Sequence, residues 1–257
     1  MHRHDPSTHT QRHRAESFGR VAGDYDRYRP GYPATLVDDL LARRPANVLD
    51  VGCGTGKAGR LFAARGVPVL GVEIDPQMAA LARSHGLIVE EGSFEEWDSA
   101  GRTFDLITAA QSWHWVDPVA GAAKAAGLLR PGGELAVFWN FEDLAADEQA
   151  IVESVYRELA PELLPDPDRR PSGAGSDGQH RRRLEESGCF AAVDAVTYPA
   201  ELSWPVAEWL GYVGTQSGLL QLGPRLPGLL ERLRSALFER GPLVRATGGT
   251  YLIRATV

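Results

Sequence analysis

From Phe18 onward the chain shows its first regular pattern. Phe18, Val21, Ala22, Tyr25 and Tyr28 recur every three to four residues until Arg29 and Pro30 end the run, which predicts a short amphipathic helix. A second helix is expected over Pro33 to Arg43, with Leu36, Val37, Leu40 and Leu41 on one face and Pro45 as its stop. Short apolar runs and helical stretches then alternate. Strands are expected at Asn47 to Val51, Val67 to Glu73, Leu87 to Glu90, Phe104 to Ala109 and Glu134 to Trp139. Helices are expected between them at Ala58 to Arg65, Pro76 to His85 and Pro118 to Leu129. Alternation of this kind signals the α/β class, a parallel sheet with helices on both faces.

The C-terminal part is less regular. After a helix at about Ala145 to Leu159, residues 161–180 are rich in Pro, Gly and Ser without an apolar period and read as a loop or insertion. A short helix ending at Gly188, a strand near Val193 to Tyr198, helices at about Val206 to Val213 and Leu226 to Glu239, and a last strand at Thr250 to Val257 complete the pattern. No repeat and no convincing internal boundary is visible, so residues 18–257 read as one domain behind a polar tail, residues 1–17. His9 and His13 in that tail stand at a helical metal spacing, but no apolar face would hold a helix there and no third ligand is fixed nearby. A disordered tail without an export signal is the expectation.

Composition narrows the class of function. The 27 Lys and Arg against 34 Asp and Glu leave a formal charge of −7 over 257 residues, which argues against a nucleic-acid backbone as partner. No stretch approaches the roughly 18 apolar residues of a membrane span. Two cysteines, Cys53 and Cys189, are too few for a disulfide framework, and a cytoplasmic protein is expected.

The densest chemical signal is VLDVGCGTGKAG, residues 48–59, where an apolar strand meets Gly52, Gly54 and Gly56 and then a helix. Glycines in such a turn let a ligand approach the backbone and supply positive φ. Their even spacing differs from a dinucleotide fingerprint, whose third glycine lies three residues after the second. Asp50, at the strand end before the first glycine, would repel a diphosphate at the helix N-terminus and would favour a ligand with a cationic ammonium or sulfonium group. A nucleotide-triphosphate loop is excluded by its spacing and by Ala58 where a Ser or Thr should bind magnesium.

The segment VLDVGCGTG resembles motif I of the class I S-adenosylmethionine-dependent methyltransferases. FGRVAGDYDRYRPGYP, GVEIDPQM, FDLITAAQSWHWVDP and LLRPGGELAVFWN extend the resemblance, from about residue 18 to the C-terminus, to the subgroup called methyltransferase type 11, and it reaches the trans-aconitate methyltransferases. It implies a Rossmann-like seven-stranded sheet of order 3-2-1-4-5-7-6 with strand 7 antiparallel. S-adenosylmethionine would lie over the carboxyl ends of the strands, bound by a core of about residues 33–140, with lid and substrate elements at about 18–32 and 141–240.

Residue by residue, the resemblance implies that Asp50, Gly52, Cys53, Gly54 and Gly56 hold the cofactor at the turn. Glu73 would accept the ribose hydroxyls, with Ile74 beside it, and Met78 would pack on the adenine. The family often has an Asp at the end of the third strand; here stand Ser93, Phe94 and Glu95, leaving open which of Ser93 and Glu95 meets the adenine amino group. Ala110 and Gln111 are expected at the cofactor, while Trp113, His114 and Trp115 would wall a pocket for an apolar or aromatic acceptor. His114 is the candidate general base, with structural hydrogen bonding as its alternative role. Asn140, Tyr25 and Tyr28 are candidate acceptor contacts, and Arg29 could pair with the methionine carboxylate or an acidic substrate. Trp204, Trp209 and Tyr212 would close the far side or serve as core. Phe18 to Tyr32 is expected to act as a lid.

Methyl transfer from a sulfonium is an in-line displacement that needs no metal, and the expected partner is a small-molecule acceptor. No Asp or Asn followed by Pro-Pro and an aromatic residue is present at the fourth strand, which argues against nucleobase and glutamine amide acceptors. A non-catalytic binding protein, a macromolecule-directed methyltransferase and a nicotinamide oxidoreductase are the competing readings.

Overall fold

A computed structural model describes residues 18–164 and 176–257. The tail with its His9 and His13 pair, and the centre of the Pro- and Gly-rich loop, lie outside the described residues.

Two short helices, α1 (Ala22–Tyr28, after a 3₁₀ turn at Phe18–Val21) and α2 (Ala34–Leu41), precede the sheet. The alternating part comprises β1 (Val48–Val51), α3 (Gly59–Ala63), β2 (Val69–Glu73), α4 (Pro76–Ser84), β3 (Ile88–Glu91), β4 (Phe104–Ala110), α5 (Pro118–Leu128) and β5 (Leu129–Leu144). Then follow α6 (Ala146–Leu159), α7 (Ser176–Glu186), β6 (Ala192–Pro205), α8 (Val206–Gly214), α9 (Ser217–Leu220), α10 (Leu226–Arg240) and β7 (Leu243–Thr256). The strands form one sheet in the order β3-β2-β1-β4-β5-β7-β6. Pairs from β3 to β5 are parallel, whereas β7 runs antiparallel to both β5 and β6. This is the order the resemblance implied.

Burial explains the continuous apolar runs. Strand β1 is buried at all four positions because helices cover both faces of the sheet. Along β5 the side chains alternate: Leu135, Val137 and Trp139 join the core facing α5 and α7, while Ala136 and Phe138 join the one facing α2, α3 and α4. Two helix starts are fixed by sequence chemistry that recurs. Asp75 before Pro76 accepts from the amides of Gln77 and Met78, and Asp117 before Pro118 accepts from Val119 and Ala120.

Three expectations are corrected. Strand β5 does not stop at Trp139 but runs to Leu144, because Asn140 to Leu144 stay paired with Thr250 to Ala246 of an equally extended β7. Strand β6 likewise continues to Pro205 against Leu243. The loop expected to reach His180 gives way at Ser176 to α7, whose polar sequence hides two inward residues, His180 and Leu184, four apart. The lengthened strands support a third core, in which Val152 and Val155 of α6, Trp209, Leu210 and Val213 of α8 and Leu229, Leu233 and Leu237 of α10 pack on Val244. Among the described residues no helix is long and apolar enough to cross a membrane.

Candidate active site

The turn after β1 is left-handed at each glycine, with φ of +61° at Gly52, +56° at Gly54 and +84° at Gly56. Space is as restrictive as conformation at the first and third. A Cβ on Gly52 would lie 2.6 Å from the Ser112 Cβ, and one on Gly56 would lie 2.5 Å from Leu87. The turn is tied down on both sides: the Gly52 amide donates to the Val72 carbonyl at 2.8 Å, and the Gly54 amide donates to Oε2 of Glu73 at 2.7 Å. The other Glu73 oxygen accepts from the Asp75 amide at 2.9 Å. Burial pushes the Glu73 carboxyl up, against the downward pull of those amides. Each oxygen retains a second lone pair for a ligand.

Two adjoining cavities open over this turn. Gly52, Gly54, Glu73, Ile74, Met78, Ser93, Phe94 and Glu95 wall the first, together with Ala110, Gln111, His114 and, from the N-terminal segment, Tyr25 and Arg29. The second continues over Cys53, Thr55 and Lys57 towards Asn140 and Tyr212. Most of the residues singled out from sequence are therefore brought together around two adjoining cavities that share the glycine turn.

Gly56 shapes the turn without lining either cavity, three further candidates point elsewhere, and of these Asp50 is the most informative. It is wholly buried beneath the turn and lines neither cavity, so it does not face a cationic ligand group. Thr108 donates to its Oδ1 at 2.8 Å, while Oδ2 lies against the Gly59 backbone without a hydrogen bond of normal geometry. Burial pushes this carboxyl up from 3.8 to about 7. Since the folded value is raised, the fold favours the neutral form: the stabilisation is complete below about 3.8 and is lost as pH rises through about 7. Wild type should lose on the order of 3–4 kcal/mol relative to Asp50→Asn between pH 4 and pH 8. Urea unfolding of both proteins across that range measures it, and a pH-independent difference would rule out the titration of Asp50.

Trp113 is the second exception. Its ring points into the core beside Phe94, not into the cavity. In the 3₁₀ turn Trp113–Trp115, Trp115 meets Phe18 edge-on, and His114 lies against Trp139 with its ring centroid 4.8 Å from that of Trp115. Tyr28 is the third, because it packs flat on Gly211 of α8, where a Cβ would lie 2.6 Å from its ring. Cys53 lies on the second cavity wall, but its buried thiol, pushed up by burial, faces Gly71.

At His114 the structure shows the alternative role expected of it, a structural hydrogen bond. Its Nδ1 accepts a hydrogen bond from Trp139 Nε1 at 3.3 Å, so that nitrogen has no lone pair to offer. Arg29 Nε and one Nη donate to Thr215 at 2.9 Å, and the guanidinium is stacked between Tyr25 and Tyr212. Asn140 donates to the Gly31 carbonyl and accepts from Thr250, tying the N-terminal segment to the extended sheet. Trp209 is core, Trp204 stacks on Tyr212, and Tyr212 alone of these three reaches a cavity. Gln111 is held at φ +59°, a left-handed conformation unusual for glutamine, by its amide bond to the Phe138 carbonyl.

The sequence reading missed Asp26. From α1 its Oδ1 accepts from Thr55 Oγ1 at 2.8 Å and from Arg60 at 2.6 Å, its carbonyl accepts from Lys57, and His85 lies 3.8 Å away. Gly19 adds an amide bond to Asp75 at 2.8 Å. The N-terminal segment is thus latched to the glycine turn from outside the cavity. Asp26→Ala should remove about 1–2 kcal/mol of closure and speed exchange of the Ala22–Tyr28 amides roughly 5- to 30-fold, with β4 unchanged. Hydrogen exchange by mass spectrometry reads this, and unaltered protection of α1 would show that its ring contacts alone hold it.

A methyltransferase-domain family model matches residues 25–151. The trans-aconitate 2-methyltransferase of Mycobacterium ulcerans is 30% identical over 193 residues, covering 72% of this chain and 71% of that protein. The chain belongs to the S-adenosylmethionine-dependent methyltransferases. A second relative, an uncharacterised methyltransferase from Mycobacterium bovis, is 39% identical over 141 residues, 53% of this chain and 57% of the relative. The chain thus spans little more than half the length of the first curated relatives it matches. Among solved structures, a candidate type II methyltransferase from Anaeromyxobacter dehalogenans shares the fold at TM-score 0.63 and 23% identity, covering 89% of this chain and 98% of that one. Phosphoethanolamine N-methyltransferase 2 of Haemonchus contortus, in complex with phosphomonomethylethanolamine and S-adenosylhomocysteine, superposes at TM-score 0.53 and 15% identity, covering 94% of this chain and 59% of the Haemonchus chain.

Proposed function

We propose that this chain transfers a methyl group from S-adenosylmethionine to a small-molecule acceptor. The observation that carries the reading is the meeting of Glu73 and the left-handed glycine turn on the wall of one cavity. The chemistry of that wall fits the cofactor. Glu73 has lone pairs for two ribose hydroxyls, Met78 and Phe94 offer apolar contact for adenine, and the turn has no side chain where the methionine portion would pass. When bound, the cofactor supplies an electrophilic methyl on a sulfonium.

The chain's own residues do the rest by placement. Ala110 and Gln111 at the end of β4 and His114 beyond them line the cavity from the side opposite Glu73, so an acceptor held there is brought close and aligned. Tyr25 and Arg29 cover the space and limit water. In this reading residues of about 33–140 hold the cofactor, while about 18–32 and 141–240 shape the acceptor side. Ser93 and Glu95 both line the cavity where the adenine amino group would come, Glu95 also accepting from the Asp117 amide at 2.8 Å.

The name of one relative supports a small acceptor: the M. ulcerans protein, 30% identical over 193 residues, is a trans-aconitate 2-methyltransferase. A thermal-shift panel of S-adenosylmethionine, S-adenosylhomocysteine and NAD tests the reading. Stabilisation by the first two is expected; stabilisation by NAD alone would overturn it.

A further inference from the structure

We propose that Lys124 is a positioning residue for the cofactor: from α5 its ammonium holds the turn of residues 93–97, which walls the adenine end of the first cavity. This rests on the methyltransferase reading and adds to it a residue that lines neither cavity.

The turn needs an outside partner. The amides of Glu96 and Trp97 both donate to the Ser93 carbonyl, at 3.1 and 2.9 Å, which closes a single turn. One turn is far too short to be stable alone, and the carbonyls at its end require donors from elsewhere. Lys124 is such a donor. Its Nζ donates to the Glu95 carbonyl at 3.1 Å and also to the Trp97 carbonyl. The same ammonium lies over the rings of Phe94 and Trp97, 5.5 and 5.8 Å from their centroids, where a ring face attracts positive charge. One cation therefore meets Phe94, Glu95 and Trp97 at once.

Helix α5 grips this turn at two levels. Asp117 and Lys124 stand seven residues apart, two helical turns, and so share one face. The Asp117 amide donates to the Glu95 carboxylate at 2.8 Å, while Lys124 takes the main chain. On the other side Trp97 Nε1 donates to Glu90 of β3 at 2.6 Å, and Arg102 binds that carboxylate through two nitrogens at 2.7 and 2.8 Å. The turn is thus strung between β3 and α5, and Ser93, Phe94 and Glu95 are the part that reaches the cavity.

The work asked of Lys124 is specific to a donor with a charge. Burial draws its ammonium down, against the upward pull of the Glu95 and Asp98 carboxylates. Methionine would fill the same space and leave two main-chain carbonyls without their donor, whereas arginine could reach both. A turn held in one conformation before the ligand arrives spends none of the binding energy on ordering. Because Lys124 lines neither cavity, its effect on the cofactor passes through Phe94 and Glu95.

Titration calorimetry on the full chain, Lys124→Met and Lys124→Arg tests the proposal. The ligands are S-adenosylhomocysteine and 5′-methylthioadenosine, which has the same nucleoside without the amino-acid tail. Lys124→Met should weaken both by the same factor, about five- to 30-fold, and Lys124→Arg should return to within about threefold of wild type. Hydrogen exchange of the free proteins should show the Glu96 and Trp97 amides faster in Lys124→Met and those of β3 unchanged. Unaltered affinities in Lys124→Met, or a loss confined to S-adenosylhomocysteine, would overturn the role. So would a Lys124→Arg protein as weak as Lys124→Met, since packing and not the donor would then set the affinity. Failure of wild type to bind either ligand would instead sink the methyltransferase reading, and the exchange result would still decide whether Lys124 holds the turn.

Discussion

Glu73→Ala is expected to weaken S-adenosylhomocysteine binding by roughly 1.5–3 kcal/mol, the range for hydrogen bonds to a charged group, or about ten- to 150-fold in affinity. The structure adds a second cost. Glu73 is buried and accepts from the amides of Gly54 and Asp75, so its removal leaves two backbone donors without their partner. Unfolding free energy should fall by about 1–3 kcal/mol as well. Titration calorimetry on folded protein separates the first effect from the second, which urea unfolding reads. An unchanged dissociation constant with the expected loss of stability would leave Glu73 as a brace for the turn and no more.

Gly52→Ala should destabilise by about 2–5 kcal/mol, combining the ~1–2 kcal/mol of a left-handed alanine with ~1–3 kcal/mol of overpacking. The clash cannot be relieved cheaply, because Ser112 is fixed by its own bond to the Val51 carbonyl at 2.5 Å and closes the floor of the turn. Gly66→Ala is the control: φ is +82° there, but nothing lies within 4 Å of the added Cβ, so only the conformational part, about 1–2 kcal/mol, should appear. Equal losses at the two positions by urea unfolding would mean that the Ser112 contact contributes nothing.

The alternating half of the chain was readable because its signals are local. Strands β1, β2 and β4 are buried at most positions and so are largely apolar, and the helices between them open or close on Pro, Asp or Gly. The glycine turn and Glu73 were readable for the same reason, since their spacing follows from one strand–turn–helix unit. What escaped depends on partners far away in sequence. Asn140 to Leu144 read as a strand end because Asn, Glu and Asp follow Trp139, yet their pairing with a strand more than a hundred residues later keeps them extended. In that later strand Gly248 and Gly249 imitate a turn, although their missing side chains make room for the Phe141 and Tyr198 carbonyls. The orientation of Asp50 could not be inferred from its place before the glycines, because the alternation of a buried strand turns it to Thr108. Nor does any local pattern join Trp139 to His114, 25 residues apart.

The length of β5 bears on what can move. One uninterrupted strand carries Ala136 and Phe138 in the core beneath the cofactor side and, further along, Leu144 against the helical cap of α6, α8 and α10. Because β7 is hydrogen-bonded alongside from Glu134 to Leu144, cap and sheet share a common two-stranded beam with no hinge between them. Tilting the cap would mean breaking that ladder. In the proposed function, opening of the site would fall to the short N-terminal segment, held by the Asp26 latch, the Gly19 amide on Asp75 and a few side-chain bonds, so the gate is light while the distance between donor and acceptor walls is built into the girder.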